Sequence, residues 1–102
     1  MAGFRLRKSA QADLEEIGAY TRDRWGDEQA VRYLTVMDAC FSRIAESRTV
    51  GRVYRAAYLR LEYVSHVVFF RREADGTCVI VRVLHQRMLP ELRFDPLKDD
   101  DE

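Results

Sequence analysis

Residues 66–85 constrain this chain most. They read as a seven-residue apolar run, His66-Val67-Val68-Phe69-Phe70-Arg71-Arg72, then Asp75-Gly76, then an eight-residue run from Cys78 to His85. Asp-Gly between two apolar runs is a strong hairpin signal. The first run is apolar on both faces, as in a strand with neighbours on both sides and cover above and below. In the second run, simple alternation puts Val79, Val81, Val83 and His85 on one face, and Cys78, Ile80, Arg82 and Leu84 on the other. Pro90 argues against continued strand pairing. Such a hairpin needs further strands beside it and an apolar layer against it.

The rest of the chain supplies both. Phe4 and Leu6 alternate with Arg5 and Arg7, a short half-buried strand. Ser9 is placed to cap a helix whose stripe is Ala10, Leu14, Ile17 and Tyr20 or Thr21. Asp13, Glu15 and Glu16 lie early in it, where acidic groups favour the helix dipole. Gly26 ends this helix and Asp27 is the expected N-cap of the next. There Ala30, Tyr33, Leu34, Met37, Cys40, Phe41 and Ile44 repeat at helical spacing. The connection is so short that the helices form an antiparallel hairpin. Leu14, Ile17, Leu34, Met37, Phe41 and Ile44 are the expected core.

A loop around Gly51 leads into a strand in which Leu59, Leu61 and Tyr63 oppose Tyr58, Arg60 and Glu62, with room for an extra strand near 53–57. The predicted order is β-α-α-β-β-β. This is an α+β domain of two layers, a helical hairpin packed on a mostly antiparallel sheet. It spans residues 1–94, and residues 95–102 form an acidic tail expected to be flexible.

A length of 102 residues suits one domain. Lysine plus arginine and aspartate plus glutamate each number 17, but the balance hides an asymmetry. The last four residues are acidic, and residues 43–87 hold nine arginines against four acids. Arginine suits planar contacts with carboxylate or phosphate. No apolar run nears the roughly 20 residues of a membrane span. The first residues carry charges where a signal peptide needs its apolar core, so a cytoplasmic protein is expected. Cys40 and Cys78 lack CxxC spacing and read as core thiols.

Chemistry is thinly signalled. A metal-free ribonuclease needs a base, a proton donor and cations for the phosphate. His85 titrates in a suitable range, and Arg60, Arg82 and Arg87 are able to bind phosphate. Yet no lysine lies between residues 9 and 97. The other reading of His85 is structural, a ring at a strand end. His66 begins a strand with no evident partner and reads as surface. Two histidines and two buried cysteines do not form a zinc site, and no phosphate loop or cofactor fingerprint is present. No metal or cofactor is expected. Arg87, Met88 and Leu89 follow the last strand with the composition of a protein interface; the other reading is that Met88 and Leu89 cover the open end of the core.

Two motifs go further: Ala12-Asp13-Leu14-x-x-Ile17-x-x-Tyr20, and Arg82-Val83-Leu84-His85-x-Arg87-Met88. In this order, with Gly51-Arg52 and the strand 66–72 between them, the chain resembles the ParE branch of the RelE/ParE toxin superfamily over about residues 4–92. One departure is the loop before Gly51, which reads Ser47-Arg48-Thr49-Val50 where relatives often carry a proline.

The resemblance implies a RelE/ParE-like β-α-α-β(3-4) fold and the toxin of a type II toxin–antitoxin system. It implies a protein inhibitor of DNA gyrase rather than an enzyme, neutralised by a ParD-like ribbon-helix-helix antitoxin in a hetero-oligomeric complex. Operator DNA would be reached only through the antitoxin, and no membrane is involved. Arg60, Arg82, Arg87, Met88 and Leu89 are the candidates for contacting target or antitoxin. The alternatives are a RelE-like ribosome-dependent mRNA endonuclease, with His85 titrating, or a homologue without toxicity kept as an antitoxin-binding partner.

Overall fold

The computed structural model describes residues 3–47, 50–55, 58–63 and 65–85. The sheet has five strands: β1 (Phe4–Leu6), β2 (Arg52–Arg55), β3 (Tyr58–Tyr63), β4 (His66–Arg72) and β5 (Cys78–His85). Helices α1 (Lys8–Trp25) and α2 (Asp27–Glu46) lie between β1 and β2 in sequence. Strand order is β1-β5-β4-β3-β2. β1 runs parallel to β5, and every other pairing is antiparallel. The expected α+β architecture is present, and the extra strand is β2. The domain limit at residue 94 and the acidic tail lie outside the described residues.

Each strand of the central hairpin feeds two apolar layers, because successive side chains point to opposite faces. On the helix side, Val68, Phe70, Cys78, Ile80 and Val83 pack with Ala10, Met37, Cys40, Phe41 and Ile44. On the other side, Tyr58, Val67, Phe69, Val79, Val81 and Leu84 form a second buried cluster. Phe4 meets Phe41 edge to face at 5.6 Å, joining β1 to α2. Met37, Phe41 and Ile44 are buried as expected; Leu14, Ile17 and Leu34 are only half-buried. On α1 the stripe ends on buried Thr21, while Tyr20 is exposed.

Simple alternation fails in β5. Phe70 faces Ile80 while Phe69 faces Arg82, so Val81 is an extra residue without a partner on β4. One inserted residue reverses the parity of everything after it. Val83 therefore joins Cys78 and Ile80 on the helix side, and Leu84 joins Val79 and Val81 on the other.

Both helix starts also differ from expectation. α1 begins at Lys8 with Arg7 in the cap position and no side-chain cap bond. Ser9 thus lies inside the helix, and its hydroxyl serves β5. Asp27 is the first residue of α2; Gly26, at φ 97°, holds the cap position. The β4–β5 turn runs from Glu73 to Thr77. It is closed by Glu73 N–H to Thr77 O and Gly76 N–H to Glu73 O, both 2.9 Å. The Asp75 carboxylate accepts the Thr77 N–H at 2.9 Å, which holds that carboxyl below its ordinary range.

Candidate functional site

A bulge leaves backbone groups unpaired, and buried ones need partners. Here α1 supplies them from two residues one turn apart. The Ser9 hydroxyl donates to the carbonyl of Val81 at 2.8 Å. The Asp13 carboxylate accepts the Val83 N–H at 2.9 Å. The same carboxylate takes Arg82 in a two-point grip, Nε to Oδ2 at 2.8 Å and Nη2 to Oδ1 at 3.0 Å. Asp13 is 7% exposed, so this is a buried ion pair and not an adornment of the helix dipole. The sequence carried two clues that belonged together. An acid sits within the apolar stripe of α1, and an arginine sits within an apolar strand.

The end of the β4–β5 ladder holds a second polar cluster. His66 and His85 are register partners, with ring centroids 5.4 Å apart and planes at 78°. The Tyr33 hydroxyl, from α2, shares a 2.5 Å hydrogen bond with Nδ1 of His66. Tyr63 of β3 is the other register partner of His66. His66 is buried, against the expectation of a surface residue. Burial pushes its affinity for a proton below the ordinary histidine value, and the neighbouring His85 adds to that. Burial likewise pushes the Tyr33 hydroxyl pKa up, partly offset by a hydrogen bond with Ser65. The bulge decides this meeting: the turn pairs Arg72 with Cys78, and in an unbroken register, with Val81 paired, His66 would stand opposite Leu84.

Arg60 and Arg82 are the register partners of Phe69 on either side of β4. The Arg60 guanidinium sits 5.8 Å from the centre of the Phe69 ring, in the layer away from the helices. It pairs with Glu62 at 3.3 Å, and Arg52 reaches the same carboxylate at 3.7 Å. Gly51, Arg52, Arg60, Leu61 and Glu62 line an open cleft of about 290 Å³. Arg60 is thus engaged by Glu62 and Arg82 by Asp13, on strands separated by β4. Arg87, Met88 and Leu89 lie outside the described residues. At the tip of the helical hairpin, Tyr20 (60% exposed) and Trp25 (66% exposed) flank the Arg24 guanidinium, at 5.5 and 6.0 Å from the ring centres. Among the described residues, no three His, Cys, Asp or Glu side chains converge as a metal site, and no helix is long and apolar enough to cross a membrane.

Comparison with known proteins adds to this geometry. The family model described as the ParE toxin of type II toxin–antitoxin system, parDE, matches residues 4–90. The chain is 43% identical over 88 residues to Toxin ParE1 of Mycobacterium tuberculosis, covering 83% of this chain and 90% of that protein. It is 42% identical over 91 residues to Toxin ParE1 of Caulobacter vibrioides, covering 86% and 93%. Among solved structures, the fold is similar to a chain of the chromosomal ParDE system from P. aeruginosa, with TM-score 0.66 and 20% identity over 83% of this chain and 96% of that one. It is also similar to a chain of the RelBE2 toxin–antitoxin complex of Mycobacterium tuberculosis, with TM-score 0.58 and 20% identity over 82% and 96%.

Proposed function

The chain belongs to the ParE toxin family of type II toxin–antitoxin systems, and on that premise we propose that it binds and poisons DNA gyrase and is held silent by a ParD-like ribbon-helix-helix antitoxin. The observation that carries the choice of inhibitor over nuclease is the placement of the arginines. A nuclease without metal needs cations aimed together at one phosphate. Arg82 has its Nε and one terminal nitrogen committed to Asp13, and Arg60, two strands away across the sheet, is paired with Glu62. An inhibitor instead needs surface for a partner. The candidates are Arg60, and Arg87, Met88 and Leu89, which follow β5 in sequence; Arg82 contributes by fixing the end of that strand.

The antitoxin partner is inferred from the family and from the ParDE system whose toxin shares the fold. Among the described residues β2 is an outer strand, and Val53 on it is 76% exposed. An outer strand accepts an added strand from a partner. Operator DNA is contacted through the antitoxin, the complex is hetero-oligomeric, and the site of action is the cytoplasm.

The deciding experiment is a gyrase supercoiling and DNA-cleavage assay with purified protein, run with and without a ParD-like antitoxin. Accumulated gyrase–DNA cleavage complexes that disappear on adding antitoxin are expected. Normal gyrase activity, with cut ribosome-bound mRNA in primer extension, would replace this reading with the endonuclease.

A further inference from the structure

The chain has two histidines, and the fold sets them on the same rung of the sheet. His66 opens β4 and His85 closes β5, so this rung ends the β4–β5 ladder. Among the described residues, α2, β3, β5 and the β3–β4 turn each bring a polar or aromatic group to this rung. From α2 comes the Tyr33 hydroxyl, bonded to Nδ1; from β3, Tyr63; from β5, the His85 ring; and the Ser65 hydroxyl in the turn bonds Tyr33 in its turn. His66 is 9% exposed.

A charged His66 fits this setting poorly, for two separate reasons. Little water reaches the ring to solvate an imidazolium, and a second imidazole stands against it. Protonation also removes the acceptor at Nδ1. With its proton on Nε2, the neutral ring accepts the Tyr33 proton at Nδ1, whereas an imidazolium has only donors. The Tyr33 bond must then break or reverse. We propose that His66, held between Tyr33 and His85, is an acid-released latch that ties α2 to the last rung of the sheet. The latch stands independently of the toxin activity. Only its effect on partner binding, through residues 86–89 that follow this rung in sequence, rests on the reading above.

The sign follows from the depressed proton affinity. The unfolded chain protonates near the ordinary value of 6.5, and folded His66 protonates lower. The latch is therefore fully engaged above about 6.5 and lost as pH falls through the lower, folded value.

The test uses the full chain and follows the two imidazole Cε1 protons by NMR as pH is lowered. Single variants His66→Gln and His85→Gln assign the signals. The expected result is a His66 midpoint below 6.5 that moves upward in His85→Gln. Thermal melts between about pH 7.5 and about pH 5 complete it. The wild type should lose melting temperature over this range, and His66→Gln, whose side-chain oxygen still accepts from Tyr33, should lose clearly less. If His66→Gln does not fold, Tyr33→Phe replaces it: removing the hydroxyl should raise the His66 midpoint. A His66 midpoint at or above 6.5, an acid loss unchanged in His66→Gln, or a midpoint indifferent to Tyr33→Phe each overturns the latch.

Discussion

Asp13 and Arg82, 69 residues apart in sequence, meet through both carboxylate oxygens, and the same carboxylate also holds the backbone N–H of Val83. One side chain of α1 thus fixes both the direction of an arginine and the path of β5 just after its bulge. Truncating it should be severe. Asp13→Ala leaves a guanidinium and an N–H without their acceptor, and the loss should be about 3–5 kcal/mol. Urea unfolding of Asp13→Ala, Arg82→Met and the double variant measures it. The double variant should lose less than the sum of the singles, because the charge left behind by one truncation is removed by the other.

The two glycines with open and crowded surroundings should separate. Gly26 has φ +97°, and nothing lies within 4 Å of a Cβ placed there. Gly51 has φ +94°, and its Cβ would fall 2.7 Å from Cζ of Phe70 and 3.2 Å from the Arg60 carbonyl. Gly26→Ala should cost only the backbone strain, about 1–3 kcal/mol. Gly51→Ala adds a clash with a buried ring and should cost more. Melting both variants side by side checks the order.

Phe41→Ala should cost about 3–5 kcal/mol, since the ring is 1% exposed and packs against Phe4. Leu34→Ala should cost less, about 1–2 kcal/mol, because Leu34 is half-buried, with its Cδ1 lying over Gly18 of α1. Equal losses in denaturant unfolding would show that α2 is turned from the phase described.

The helical phase of α2 could be read directly because it is a long amphipathic stripe, and the buried Met37, Phe41 and Ile44 obey it. The faces of β5 could not. A strand apolar on both sides gives no sign of one extra residue, so the bulge at Val81 reversed the assignments of Val83 and Leu84 without leaving a trace in the sequence pattern. Ser9 was misplaced for a related reason. A hydroxyl near a helix start looks like a cap, and only the unpaired carbonyl of the bulge draws it elsewhere. Asp13 was legible in principle, as an acid on an apolar stripe; the rung that His66 shares with His85 was not, because it depends on the bulge. Each needed a partner from a distant segment before it meant anything.

The cysteines should be silent toward thiol reagents while the chain is folded. Both are buried, and burial pushes the Cys78 thiol up to about 11. The folded value lies above the ordinary 9.0, so the neutral thiol contributes stability below pH 9 that is lost as pH rises through the folded value. Alkylation at about pH 8 should follow global unfolding, and its rate should rise with denaturant. Fast labelling of Cys78 without denaturant would place that end of β5 at the surface.

For the proposed inhibitor, Arg60→Ala and the pair Arg87→Ala with Met88→Ala should weaken growth arrest or antitoxin binding by roughly tenfold or more, as truncation of interface anchors does. Arg60→Ala should change stability by under about 1 kcal/mol. A growth-arrest assay paired with melts separates loss of contact from loss of fold. Full toxicity in all these variants would remove them from the binding surface.

The parallel pairing of β1 with β5 bears on how the protein is made. Among the described strands β1 is synthesised first, and its partner Cys78–Ile80 belongs to the one synthesised last. The helical hairpin has its own local contacts and can form while translation continues, whereas β1 has no neighbour in the sheet until β5 emerges. Until β5 emerges the nascent chain therefore carries a helical hairpin with a loose leading strand, and the described sheet is completed only when β5 is available.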